Sequence, residues 1–248
     1  MGKIVKNAKT GHPDYFDNSG NNVPSVTTVI KILGDNQGLL GWANSLGFKR
    51  ISLKNEQDKN INIGNLVHGY IHHYFTDEKI EDDESKYNSY ELDVAEKCYT
   101  NFKRWFKTIK DDFELIYSEK SFVYNKLGYG GTIDLYGIYK DEYILYDFKT
   151  SRYFNKSFFI QLAAYKYMME AKKKRVDKVA IVRLNKSNNE VSILIMNSKQ
   201  IKKYFELFKL ILQFFKLNKE VDIDWKEESK EFVSDAKVIK SRFVSSKK

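Results

Sequence analysis

Between residues 113 and 148 the sequence leaves the backbone little choice. Three segments rich in β-branched and aromatic residues, 113–122, 131–139 and 143–148, follow one another across short turns. That composition favours extended, half-buried chain. The Lys140-Asp141-Glu142 turn is short enough that the last two segments must fold back as a β-hairpin. Two carboxylates ride on this hairpin. Asp134 follows the run Gly131-Thr132-Ile133. Asp147 ends the apolar run Tyr143-Ile144-Leu145-Tyr146, with Lys149 two positions on. Closing the hairpin brings both carboxylates to the same end of the strand pair. Two carboxylates and a lysine held together suit a hard divalent cation beside a water molecule, the chemistry of phosphodiester hydrolysis.

Asp-x-Lys is a weak pattern on its own. The same [DE]-x-Lys spacing recurs at Asp77, Glu84, Glu170, Asp224, Glu228 and Asp235, as expected where 30% of residues are charged. Context singles out Asp147: it closes a strongly apolar strand and precedes a helix, and polar residues at such strand ends tend to face a cleft.

Upstream, the spacing predicts a short strand and turn over 15–22 and a short helix from Pro24 with Ser25 as N-cap. A second short helix over 39–44 carries Trp42, which is expected in the core. A long helix starts near Asn60 or Asn62 and runs to Phe75, followed by a charged loop over 77–88 and an amphipathic helix over 90–109. Downstream come a helix over 158–172, strands over 178–184 and 190–196, and a helix over 201–217, then a charged tail whose role cannot be read from sequence. This order predicts one α/β domain. Residues 1–110 form an N-terminal strand and helical region, 111–220 the core, and 221–248 the charged tail.

Composition narrows the function classes. The 248 residues are 42% hydrophobic and 15% aromatic, ample for a packed core. No apolar run is long enough to span a bilayer, and the first residues lack the apolar core of a signal peptide, so a cytoplasmic protein without membrane contact is expected. The single cysteine, Cys98, excludes intramolecular disulfides and four-cysteine clusters. A net charge of +9 raises the expectation of a polyanionic partner.

Several further residues carry chemistry. His68, in Gly64-Asn65-Leu66-Val67-His68, lies on an amphipathic segment where a histidine can equally be structural. His72 is one turn later, but Gly69 stands where a zinc protease would place its glutamate. Gln161 and Tyr165 share a helical face just after the Asp147 strand and can bind phosphate or brace a neighbour. Ser25 and Thr27 can contact phosphate or merely cap their helix. Lys156 and the run Lys172–Arg175 can extend a basic track or be solvated charges, and Trp42 or Tyr15 can stack on unpaired bases.

In order and spacing, Gly64–His68, Gly131–Asp134, Asp147–Lys149 and Gln161–Tyr165 resemble the motifs of the RecB-like branch of the PD-(D/E)XK nuclease superfamily. The start Val23-Pro24-Ser25-Val26-Thr27-Thr28 is similar to that of phage-type exonucleases and of the mitochondrial genome maintenance exonuclease. The resemblance covers about residues 15–217. It implies a restriction-endonuclease-like core, with a central mixed β-sheet flanked by helices and an N-terminal helical cap. It implies a metal-dependent DNA exonuclease of recombination, repair or replication in a phage or similar genome, with single strands or duplex ends as substrate. A structure-specific endonuclease and a catalytically inactive nucleic-acid-binding module are the alternatives. Mg²⁺ or Mn²⁺ would be held by His68, Asp134, Asp147 and the Phe148 backbone carbonyl. Glu119 stands where many such proteins carry an upstream glutamate. Lys149, Gln161 and Tyr165 would complete the catalytic set, with Ser25, Thr27, Gln161 and Tyr165 touching DNA. The lack of a cysteine cluster separates the chain from relatives with an iron–sulfur cluster, so none is expected.

Overall fold

The structure, a computed structural model, describes residues 2–6, 13–34, 36–76 and 84–245. Strands β1 (Lys3–Lys6), β2 (Pro13–Phe16) and β3 (Asn22–Val23) make a small antiparallel sheet. Helices α1 (Val26–Ile30), α2 (Asn36–Phe48), α3 (Leu53–Thr76) and α4 (Ser89–Phe106) follow. The main sheet takes β4 (Phe113–Tyr124), β5 (Tyr129–Tyr139), β6 (Glu142–Lys149), β7 (Lys178–Leu184) and β8 (Val191–Asn197), in that spatial order. Helix α5 (Lys156–Glu170) joins β6 to β7, and α6 (Ser198–Ser245) follows β8. All neighbouring strands are antiparallel except β6 and β7. Only that pair needs a crossover, and α5 supplies it.

Each local choice follows from residue type. Lys140 and Asp141 turn the β5–β6 hairpin with φ of 49° and 64°, while Tyr139 pairs Glu142. Two consecutive left-handed residues match the twist of the flanking strands. Helix α4 opens on a reciprocal cap: Asn88 accepts from the Glu91 amide, and Glu91 accepts from the Asn88 amide. Asn62 of α3 donates to the buried Glu91 carboxylate at 2.9 Å, tying the two helices together.

Helices cover both faces of the sheet. One core places α1, α5 and α6 against Tyr129, Tyr136, Leu145 and Val179. The other places α3 and α4 against Leu135, Tyr146, Phe148 and Val182. In the second core Phe102, Trp105 and Phe148 meet edge-on or tilted, worth roughly 0.5–1.5 kcal/mol per pair beyond area burial. This is the expected α/β class with a mixed five-stranded sheet flanked by helices, consistent with a restriction-endonuclease-like core. No described helix is long and apolar enough to cross a membrane.

The structure corrects several sequence expectations. Helix α3 begins at Leu53, two turns early, because its first turns are polar and show no apolar period. Helix α6 continues to Ser245, since no Gly or Pro interrupts residues 198–245. Trp42 is 36% exposed rather than in the core, because α2 buries only Leu46 among its described side chains. The loop expected over 77–88 falls partly outside the described residues, and its described part holds a 3₁₀ turn, Glu84–Lys86.

Candidate active site

The hairpin puts the two carboxylates side by side. Its ladder ends at Leu135 and Tyr146. One step on, the Asp134 carboxylate accepts from the Phe148 backbone N–H at 2.7 Å, with Oδ2 replacing a backbone partner. On the other side of β5, Ser118 pairs Leu135 and Lys120 pairs Ile133, which sets Glu119 opposite Asp134. Glu119, Asp134 and Asp147 therefore form a row across β4, β5 and β6. Glu119 adopts a left-handed φ of 46° inside its strand, a strained conformation for a side chain of this kind.

Helix α3 completes the row. His68 Nδ1 lies 3.2 Å from Glu119 Oε1 and 3.6 Å from Asp134 Oδ1. One turn on, His72 Nδ1 lies 2.9 Å from Ser118 Oγ, anchoring the helix to β4. Burial opposes charging of His68, but the Asp134 and Glu119 carboxylates outweigh it and push the imidazole up to about 9. Ligand atoms of His68, Glu119 and Asp134 lie within 4.8 Å of one another. Donors bound to one cation at about 2.0–2.6 Å meet that spacing. One nitrogen and two carboxylates suit a hard or borderline divalent ion.

Asp147 and Lys149 sit deeper. Asp147 is 1% exposed, and Lys149 Nζ stands 2.7 Å from its Oδ2 as an ion pair. Lys149 thus holds Asp147 Oδ2, whereas Oδ1 has no donor among the described residues. Burial raises the Asp147 carboxyl to about 6, against the pull of Lys149. Burial likewise raises Asp134, against the pull of His68. For Lys149 burial disfavours the charge, yet Asp147 and Asp134 more than offset that and raise its pKa. A buried carboxylate oxygen left without a donor is costly unless something else binds it.

The last two motif residues brace the site from α5. Gln161 Nε2 donates to the Tyr165 hydroxyl at 3.0 Å. Burial and the two aspartates raise the Tyr165 pKa well above its ordinary value, so the phenol keeps its proton. Its ring lies against Gly131, where an added Cβ would meet Tyr165 Cε1 at 2.4 Å. The glycine of the Gly-x-x-Asp motif is therefore the space the tyrosine ring needs.

A cleft of about 1730 Å³ opens over these groups, larger than the 300–1,000 Å³ typical of small-molecule sites. His68, Glu119, Asp134, Lys149, Gln161 and Tyr165 line it, and Asp147 lies beneath. Ser25 and Thr27 reach its rim while serving the helix: Ser25 Oγ accepts from the Thr28 amide at 3.0 Å and contacts Thr27 Oγ1 at 2.9 Å. Tyr15 is buried, its hydroxyl 2.8 Å from Thr132 Oγ1, which excludes it from stacking on a base. Lys156 and Lys172–Arg175 do not line the cleft; Arg175 pairs with Asp177 instead. The rim lysines are Lys6, Lys31, Lys216 and Lys219. Their spacing along the sequence carries no signal, except that Lys216, Lys219 and Ile223 share one face of α6. The Phe148 side chain is in the core, and its amide donates to the Asp134 carboxylate.

No protein-family description and no curated protein matches the chain. Among solved structures it is similar to a protein from Eubacterium rectale named only provisionally as an exonuclease, at 10% identity and a TM-score of 0.43. That match covers 61% of this chain and 64% of the other, less than two thirds of its length. A protein called SSO0001 matches at 15% identity and a TM-score of 0.30, over 60% of this chain and 74% of the other.

Proposed function

We propose that the chain is a metal-dependent deoxyribonuclease that hydrolyses phosphodiester bonds from DNA ends, with Mg²⁺ or Mn²⁺ as cofactor. One observation carries the reading. Three carboxylates and a histidine meet at the floor of a cleft, and Oδ1 of the deepest carboxylate, Asp147, has no donor among the described residues. Lys149 and His68 offset part of this negative charge, and a divalent cation would offset the rest. His68, Glu119 and Asp134 would hold the ion, with Asp147 and the Phe148 carbonyl beside them. When bound, the ion supplies Lewis acidity at the scissile phosphate and makes a neighbouring water more acidic.

The chain's own groups do the rest. Lys149 stays charged, so it orients the attacking water and offsets charge on the phosphate rather than taking a proton. Tyr165 accepts from Gln161 and keeps its own proton to donate toward a phosphate oxygen. Ser25, Thr27 and the rim lysines offer further contacts to the sugar–phosphate backbone. Exonuclease action, DNA rather than RNA, and a role in recombination, repair or replication rest on the resemblance of the motifs.

End-labelled linear and circular DNA, incubated with Mg²⁺ or Mn²⁺, tests the proposal. Wild-type protein should degrade linear DNA and spare circles, while Asp134→Asn, Asp147→Asn and Lys149→Ala should each lose at least about 100-fold in rate. Cutting of circles would make the protein an endonuclease. DNA binding without cleavage would make it a binding module. Cleavage that survives EDTA would refute the metal site.

A further inference from the structure

Helix α6 carries a seam that nothing among the described residues covers. Leu207, Leu210, Phe214, Leu217 and Val221 are each 39–62% exposed. Their separations alternate three and four residues, the heptad spacing of helices that pack along their length. The core is on the other side of the same helix, where Ile201, Phe205, Phe208 and Leu212 are buried. The rhythm continues one step at each end, to Lys203 and Asp224, both exposed. Seven positions thus run along roughly 32 Å of helix, five apolar between a cation and an anion.

We propose that this seam joins two copies of the chain, with their α6 helices packed antiparallel about a two-fold axis near Phe214. The apolar positions match in either orientation, but only the antiparallel one brings the end charges together with opposite sign. Phe214 faces its own copy, Leu210 faces Leu217 of the second copy, and Leu207 faces Val221. Lys203 then meets Asp224 at both ends. A parallel pairing would set Lys203 against Lys203 and Asp224 against Asp224. An isologous contact of this kind closes on itself and buries each residue twice. A few large apolar anchors at its centre carry most of the affinity. The pairing leaves the cleft open, because Phe215, Lys216, Lys219 and Ile223 face it from the other side of the helix. The inference stands apart from the nuclease reading, and failure of either leaves the other intact.

Sedimentation velocity of the full chain from about 1 µM to about 100 µM reads the association directly. A dimer is expected. Leu217→Glu should raise its dissociation constant at least about 100-fold and leave the melting temperature of the dilute monomer unchanged, because Leu217 is 59% exposed within one copy. Lys203→Glu should weaken the dimer, and adding Asp224→Lys should restore it. Orientation is read by mixing Leu210→Cys with Leu217→Cys protein under mild oxidation, the native Cys98 being buried. Disulfides should form between the two variants and not within either one. A monomer at every concentration, a dimer indifferent to Leu217→Glu, or 210–210 cross-links would each overturn the proposal. A monomer would leave the seam to a different protein.

Discussion

If His68, Glu119 and Asp134 share a cation, its binding must expel a proton. The two carboxylates hold the His68 imidazole charged up to about pH 9, and only the neutral ring binds a metal. Because the pKa is raised, the competing proton is present at neutral pH and lost as pH climbs through 9. Apparent metal affinity should therefore rise about tenfold per pH unit from 7 toward 9 and level off above. The full penalty near pH 7 is about 100-fold, or about 2.7 kcal/mol. The His68 side chain keeps 29% of its surface exposed, and water screening makes that an upper figure. Calorimetric titration of Mn²⁺ near pH 7 and near pH 8, in two buffers of different ionisation heat, counts the protons released. Wild-type protein should release close to one. His68→Ala should bind more weakly, release close to none, and lose the dependence on pH. No proton release by the wild type, or the same release by His68→Ala, would refute the assignment of His68 as a ligand.

Asp147→Asn should abolish cleavage yet stabilise the fold by up to about 3 kcal/mol near neutral pH. The folded carboxyl sits near 6, so the wild type loses stability as pH rises from about 4 to about 6, and the gap in melting temperature should close as pH falls through that window. Gly131→Ala should cost about 1–3 kcal/mol by overpacking and lower activity more than stability alone explains, since its Cβ would displace Tyr165; chemical denaturation and rate measurement at one pH separate the two. Lys216→Ala and Lys219→Ala should each weaken DNA binding and reduce the slope of log affinity against log salt by about 1, as read by fluorescence anisotropy.

What was legible in the sequence is what sits close together along it. The hairpin, the Asp134–Asp147 proximity and the α5 face of Gln161 and Tyr165 lie within about thirty residues, and period and turn chemistry were enough to place them. Glu119 was harder. Its place opposite Asp134 depends on the β4–β5 register, which shifts between Leu115 and Tyr117, and a bulge moves every later residue by one. Trp42 misled because aromatic character alone argued for burial, while α2 has little apolar face to bury. Lys219 was invisible because the helix was expected to stop at 217, and only its continuation carries this lysine over the cleft. Lys172–Arg175 looked equally suitable as a charge cluster, but they follow α5 at the end remote from Gln161.

The cleft is assembled from chain segments of very different age in synthesis. The carboxylate row is complete once residue 149 has emerged, whereas α1 at the rim rests on α6, whose cleft-facing residues end at Ile223. At about 5–20 residues per second, the ribosome needs roughly 4–15 s to cover that distance. During that interval the residues of the charged floor have been made, and those of the α6 wall have not. Closure of the cleft wall therefore comes late in synthesis.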